Sequence, residues 1–130
     1  MRIPIQISLE HPEPLYHQIK TQLRDLIMGG QLEPGMLLPS IRELAQDLSC
    51  SVITIRRVYQ DLEAEGLLWT RQGTGTFVAN IGEGHMEKHR REVVLSAIRE
   101  AVDTARRHQY DDDEIREMFE DCLQQRKGED

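Results

Sequence analysis

Two helix-start signals stand close together in this chain, at Ser40 and Ser51. Ser40 is followed three residues later by Glu43, the spacing of a capping box, in which each side chain accepts a hydrogen bond from the other residue's backbone N–H. Apolar residues with helical spacing follow each serine, and Gly66 closes the second segment. The sequence therefore predicts two helices joined by a tight turn, the second spanning residues 51–65.

Another helix is predicted before this pair. Apolar residues recur with helical spacing after Pro14, and Gly29-Gly30 supplies the left-handed backbone that commonly ends a helix. Residues 1–13 show no sustained period and are predicted to form an extended arm. The short apolar run at residues 36–38 is predicted to be a strand.

A β-hairpin is predicted after Gly66. Two runs rich in β-forming residues, 67–71 and 76–79, flank a loop that contains Gly73 and Gly75. The order of elements is then helix, short strand, helix, turn, helix and hairpin. This order predicts a mostly α fold with a small β-wing, which is the winged helix-turn-helix.

The chain is predicted to contain a winged helix-turn-helix domain at residues 1–80 and a helical tail at residues 81–130. A glycine-flanked hinge at residues 80–84 separates them, and tail helices are expected from about Met86 to His108 and from near Asp111. One chain offers too little surface to bury both apolar stripes of the tail, so a second copy is expected to cover them. The predicted dimer-interface residues are Val94, Ile98, Ala101, Val102, Ala105, Ile115, Met118, Phe119, Cys122 and Leu123.

The net charge of −7 is unusual for a protein that binds nucleic acid. Residues 1–80 carry 7 basic and 9 acidic side chains, a net charge of −2, while residues 81–130 carry 9 and 14, a net charge of −5. The basic residues of the first part include Arg42, Arg56, Arg57 and Arg71. We therefore expect modest non-specific affinity for DNA, and binding that depends on a few placed contacts and on dimerisation.

Other features bound the class of protein. No stretch approaches the roughly 20 apolar residues of a membrane helix, and the N-terminus lacks the apolar region of a signal peptide, so a cytoplasmic protein is expected. Cys50 and Cys122 are expected to be reduced, partly buried thiols. No glycine-rich phosphate loop or nucleophile motif is evident, so neither an enzyme nor a cofactor is expected.

The predicted second helix has an outer face suited to the DNA major groove. With Ile55, Val58, Tyr59 and Leu62 facing the core, short hydroxyl side chains permit close approach, and arginine supplies a two-pronged donor for guanine or phosphate. The alternative is a solvated face on which the arginines pair with Asp61 or Glu63. The residues left on the outer faces are Ser51, Ile53, Thr54, Arg56, Arg57 and Gln60.

Two neighbouring segments add candidate contacts. Arg42 lies one turn into the bracing helix and reaches either the groove or Asp47, and Ser40 either donates to phosphate or acts only as a helix cap. The hairpin loop suits phosphate or minor-groove contact, although an ordinary turn would also explain its glycines. The loop residues are Arg71, Gln72, Gly73, Thr74 and Gly75.

These residues resemble the DNA-binding domain of the GntR regulators over roughly residues 8–80. The matching segments are PLYHQI at 14–19, LPSIRELA at 38–45, SVITIRRVYQDLEAEG at 51–66 and GTGTFV at 73–78. Val52 and Ile53 depart from the pattern, because many relatives place polar or basic residues there; contact of an apolar side chain with a thymine methyl remains open. The resemblance implies DNA contacts at Ser40, Arg42, Ser51, Thr54, Arg56 and Arg57, with a wing contribution from Arg71, Gln72 and Gly73.

Only about 50 residues follow the wing, so the chain resembles the small YtrA-type branch rather than the members with a large effector domain. The resemblance implies a dimeric repressor of a transporter-type operon, with a palindromic operator and an unknown small-molecule effector. Two-fold symmetry would place the recognition helices about 34 Å apart, or a multiple of that distance. Effector binding that reorients the parts across the hinge, and simple repression without an effector, both fit.

Two alternatives compete with this interpretation. His85 and His89, spaced for one helix face, or the acidic run Asp111–Glu114 could bind a metal, although no third ligand accompanies the histidines and acidic residues at a helix start also favour the helix dipole. We therefore expect no metal. A winged helix that binds protein as an adaptor is the other functional class, and it predicts no clustered arginines on the recognition helix and wing.

Overall fold

The computed structural model describes the backbone of residues 3–129 and the side chains of residues 3–125. The described chain is mostly helical with one small antiparallel sheet, which confirms the predicted fold class. Its elements in order are α1 (Leu15–Met28), α2 (Ile41–Leu48), α3 (Val52–Ala64), β1 (Leu68–Arg71), β2 (Gly75–Val78), α4 (Glu83–Arg107) and α5 (Asp112–Glu129).

The hydrophobic core lies among α1, α2, α3 and the wing. The predicted inward face of α3 is confirmed, since all four of its core residues are buried. α1 buries Ile19, Leu23 and Ile27, and α2 buries Leu44 and Ala45. Apolar residues at helical spacing therefore fix how the three helices face one another.

Both α2 and α3 begin with a serine cap. Ser40 and Glu43 form the predicted capping box, and Ser51 accepts a 3.1 Å hydrogen bond from the backbone N–H of Thr54. Between the helices, Ser49 is left-handed at φ 54°, and the Cys50 N–H donates to the carbonyl of Ala45 at 2.9 Å. These bonds fix the direction in which α3 leaves α2.

The wing pairs β1 with β2 from Leu68 opposite Val78 to Arg71 opposite Gly75. The run predicted as a strand at residues 36–38 contributes a single bridge, Leu37 to Phe77, supported by the Leu38 N–H donating to the Thr76 carbonyl at 2.9 Å. Leu68 and Val78 are buried in the core, which anchors the base of the wing.

The N-terminal arm is held on α1 by two glutamine side chains. Gln22 accepts from the Gln6 N–H at 2.9 Å and donates to its carbonyl at 2.7 Å, and the buried Gln18 bonds Ser8 in the same way. Ile3 is buried in the core. Amide side chains thus satisfy the backbone of an arm that has no strand partner among the described residues.

The chain divides into two compact units between Arg90 and Arg91. The first therefore extends past the predicted boundary at residue 80, because Met86 is buried near Gly30 and His89 Nε2 lies 2.8 Å from Asp25 Oδ1. α4 begins at Glu83, so the connecting residues 79–82 are non-helical, and the hinge predicted at 80–84 lies inside the first unit rather than between the two units.

The second unit consists of the rest of α4 and α5. α4 ends where Gln109 is left-handed, and α5 opens with a capping box in which the Glu114 N–H donates to Asp111 at 2.8 Å and the Asp111 N–H donates to Glu114 at 3.1 Å. An open crevice of about 570 Å³ lies between the two helices and is lined mostly by apolar atoms. Among the helices described, none is both long and apolar enough to span a bilayer.

Candidate nucleic-acid interface

A buried tyrosine fixes α3 against the start of α2. The Tyr59 hydroxyl donates a 2.8 Å hydrogen bond to the carbonyl of Pro39, directly before the Ser40 cap. Burial and, secondarily, the Glu43 carboxylate raise the pKa of Tyr59, so the phenol stays protonated and keeps donating. The outer face of α3 is therefore presented at a fixed angle to α2.

That outer face is a contiguous exposed strip, which we call the α3 strip: Ile53, Arg56, Arg57 and Gln60. Arg56 and Arg57 follow Ile53 by three and four residues and so lie one turn away on the same side. All four lie opposite the buried face of α3. Ile53 is the apolar residue of the strip, and it is 75% exposed.

A groove of about 430 Å³ joins α2, α3 and the wing. Ser40 and Arg42 line it from α2, Arg56 lines it from α3, and Thr74 lines it from the wing. Four predicted contact residues that are distant in sequence are thus brought to one concave surface. Val52, where the sequence departs from the GntR pattern, is half-buried beside them.

Arg57 is held by an aromatic ring on another helix. The centre of its guanidinium lies 3.8 Å from the centroid of the Tyr16 ring of α1, a cation–π stack. A stacked guanidinium keeps its N–H groups free around its edge, in the plane of the fork. Sequence reasoning missed this role of Tyr16, although the residue stands inside the segment PLYHQI that carried the family resemblance.

The predicted arginines keep their charges unpaired. Among the described residues, no carboxylate forms a salt bridge with Arg42, Arg56, Arg57 or Arg71. The structure therefore does not contain the alternative ion pairs, in which these arginines would be neutralised by Asp47, Asp61 or Glu63.

The acidic residues of α3 have other partners. Asp61 lies 3.5 Å from Lys20 of α1, and Glu63 accepts from the backbone N–H of Thr70 at 3.2 Å. Glu65, the residue after α3, pairs with Lys20 and with Arg24. The negative charge is therefore confined to the C-terminal end of α3, whereas the arginines lie nearer its N-terminus.

The hydroxyl groups that are predicted to contact DNA also form hydrogen bonds within the protein. Ser40 Oγ accepts from the Glu43 N–H at 3.1 Å, and Ser51 Oγ lies 2.8 Å from Thr54 Oγ1. Hydrogen bonds from the backbone and side chain of Ser40 lower the pKa of Glu43, which stays ionised in the capping box. Since one hydroxyl of the Ser51–Thr54 pair donates to the other, a single hydroxyl hydrogen remains to point outward.

The wing loop is exposed and shaped by a glycine. Gly73 has φ 83°, a conformation that side chains rarely adopt, and the Thr74 N–H donates to the Arg71 carbonyl at 3.0 Å. Arg71, Gln72 and Gly73 are exposed outside the groove that Thr74 lines. Of the five candidate loop residues, Thr74 and Gly75 thus line the groove, and the other three lie outside it.

Most apolar residues predicted for a dimer interface are open to solvent in the single chain. Val94 is 56% and Leu123 62% exposed, while Val102, Ala105 and Phe119 are half-buried. Ile115 is 6% exposed, so it packs within its own chain instead of forming part of an open face. The remaining predicted residues are exposed: Ile98, Ala101, Met118 and Cys122.

Cys122 is thus exposed and not partly buried as expected; Cys50 is half-buried, and both cysteines are free. Several of the candidate metal ligands have other partners. Asp111 and Glu114 form the α5 cap, while His89 contacts Asp25. Within the described side chains, no group of three or more His, Cys, Asp or Glu residues is arranged to hold a metal ion.

Residues 15–78 match the family model described as bacterial regulatory proteins, gntR family. The chain is 31% identical to the transcriptional repressor YtrA of Bacillus subtilis over 114 residues, which cover 82% of this chain and 88% of YtrA. It is 43% identical to the repressor NagR of the same organism over 75 residues, 58% of this chain but only 31% of NagR.

A solved structure is similar to the winged part. The DNA-binding domain of AraR in complex with operator ORX1 matches with a TM-score of 0.53 and 34% identity, covering 60% of this chain and all of that domain (100%). The likeness to AraR and NagR is thus limited to part of the chain, whereas the likeness to YtrA extends into the tail.

Proposed function

The chain belongs to the GntR family of bacterial regulatory proteins and is of the YtrA type, and we propose that it works as a homodimeric repressor on a palindromic operator. The N-terminal half of α3 enters the major groove, and the wing contacts the backbone or minor groove beside it. The AraR domain bound to its operator supports the duplex as partner, because it shares the winged part of this chain.

One observation carries this proposal: arginines from α2 and α3 meet at one groove and have no carboxylate partner among the described residues. Guanidinium groups without a protein partner are suited to phosphate oxygens and guanine edges. The acidic groups at the end of α3 do not oppose this, because Asp61 and Glu65 are paired with Lys20 and Arg24. Glu43, which also lines the groove, is held by Ser40 in the capping box of α2.

The exposed tail residues support the dimer. Val94, Ile98, Met118 and Leu123 expose apolar surface along the two tail helices, and a second copy would cover it. Two-fold symmetry then pairs two α3 helices with two half-sites. The winged part is small and nearly neutral, so its charge alone contributes little affinity for DNA. Dimerisation supplies the additional affinity, because two half-sites are bound at once.

The test uses a duplex selected by the full chain from a random library. We expect a palindrome, two footprints separated by a whole number of DNA turns, and tighter binding than to a scrambled duplex. The variant Arg56→Ala/Arg57→Ala should lose this preference. Equal binding to both duplexes, with the double variant behaving as wild type, would instead support an adaptor that binds protein.

The regulated genes are a further part of the proposal. The YtrA resemblance favours an operon for a membrane transporter, and no catalytic step is required for this role. Transcripts measured with and without the gene distinguish repression, in which the operon rises on deletion, from activation, in which it falls. A small-molecule effector, if one acts, should weaken binding of the full chain to the selected duplex.

A further inference from the structure

We propose that Ile53 reads the 5-methyl group of a thymine on the floor of the major groove, one in each half-site. This inference rests on the proposed DNA-binding function and goes beyond it, because it assigns sequence specificity to an apolar side chain. The observation behind it is the position of Ile53, not its exposure alone. Single exposed apolar residues are common on protein surfaces.

Ile53 occupies the outermost position of the first turn of α3. It lies opposite the buried Ile55 and Val58, and Arg56 and Arg57 follow it on the same side. Arg56 lines the groove beside the wing, while Arg57 stacks on Tyr16 at 3.8 Å, so the two guanidinium groups are held toward different neighbours. A duplex approached by both arginines would have its groove floor facing Ile53.

The chemistry of the groove floor then selects the contact. Base edges in the major groove present hydrogen-bond donors and acceptors, and the thymine methyl is their apolar group. Ile53 has no hydrogen-bonding atom in its side chain, so placing it against a polar edge would desolvate that edge without compensation. Contact with the methyl removes apolar surface from water on both sides.

The experiment replaces each thymine of the selected duplex by deoxyuridine, which removes only the methyl group. At one thymine per half-site, we expect wild-type affinity to fall about fourfold, and roughly 15-fold when both half-sites are changed, from the burial of one methyl each. The Ile53→Ala variant should bind the thymine and uracil duplexes equally at that position. Ile53→Val, which keeps a branched side chain, should retain most of the difference.

Controls separate this role from folding and from DNA binding in general. Leu9 is 90% exposed, so Leu9→Ala removes another exposed apolar side chain and should leave the uracil profile unchanged. Because Ile53 lies outside the core, the circular dichroism and melting temperature of Ile53→Ala should match wild type. A wild-type chain that does not prefer the selected duplex over a scrambled one would defeat the proposed function and this inference together. Preference without any uracil-sensitive thymine, or with the same sensitivity in Ile53→Ala, would overturn the role of Ile53 alone.

Discussion

In the winged unit most apolar side chains are packed, and four arginines lack a carboxylate partner among the described residues, whereas in the tail most apolar side chains of the predicted interface face solvent and two of the five described arginines pair with aspartates. Among described side chains, Arg106 lies 3.2 Å from Asp112 and Arg116 lies 3.0 Å from Asp113. The arginines of the two units thus differ mainly in placement, because Arg42 and Arg56 meet at one groove in the winged unit. The difference indicates that the arginine-bearing surface of the winged unit suits a polyanion. The exposed apolar residues of the tail suit contact with another apolar surface.

The largest expected effect comes from placing a charge on the apolar surface of the tail. Ile98→Glu should convert the dimer to a monomer, because two carboxylates would be buried at the interface without partners. Losing the second half-site should weaken operator binding by about 100- to 10,000-fold. Sedimentation equilibrium and fluorescence anisotropy measure the two effects.

Ser96→Glu is the matched control, since Ser96 is exposed and, two residues away, points to the other side of α4. It should remain dimeric and bind normally. A dimeric Ile98→Glu variant would show that the tail stripe is not the interface.

The next effect compares one arginine from each unit. Arg56→Ala should weaken operator binding by about 100-fold, because each half-site loses a contact worth roughly 1–3 kcal/mol. Arg106→Ala removes an arginine whose surface ion pair is worth little, and binding should stay within about twofold of wild type. Equal losses in the two variants would mean that total charge, not placement, controls binding.

A smaller effect tests whether Tyr16 holds Arg57 in position. Tyr16→Leu should weaken operator binding roughly 10-fold across the two half-sites, from the loss of two cation–π contacts. Tyr16→Phe keeps the ring and should bind nearly as wild type. In an Arg57→Ala background, Tyr16→Leu should have no further effect, and full additivity of the two changes would contradict the proposed coupling.

The smallest effect concerns the wing tip. Arg71→Ala should weaken binding only about threefold and should lower the slope of log affinity against log salt by about 2 per dimer, as expected for one phosphate contact per subunit. Arg116→Ala, in the paired surroundings of the tail, should leave the slope unchanged. A normal slope in Arg71→Ala would place the wing away from the phosphates.

Most of the fold was predicted from patterns among residues that are close together in the sequence. The capping residues of α2 and α3 and the apolar face of α3 are set by neighbours within one or two turns, so the predicted helices match the structure closely. The N-terminal arm is too short to show a sustained period, but its Ile3, Ile5 and Ile7 alternate and pack on the core. The stacking of Arg57 on Tyr16 depends on how α1 crosses α3, which no local pattern encodes.

The sequence likewise did not predict which charged side chains form ion pairs with one another. Asp61 follows Arg57 by four residues, and that spacing alone allowed an ion pair along α3. In the structure Asp61 instead pairs with Lys20 of α1, and Glu63 accepts from the backbone N–H of Thr70 in β1. Tertiary packing thus decided which guanidinium groups stay without a partner.

The most direct test of the central claim is arginine-specific modification by a dicarbonyl reagent, read by mass spectrometry with and without the selected duplex. We predict that DNA protects the winged-unit arginines and leaves reactivity unchanged at Arg106 and Arg116. Protection in the tail, or unchanged reactivity throughout the winged unit, would contradict it. The residues predicted to be protected are Arg42, Arg56, Arg57 and Arg71.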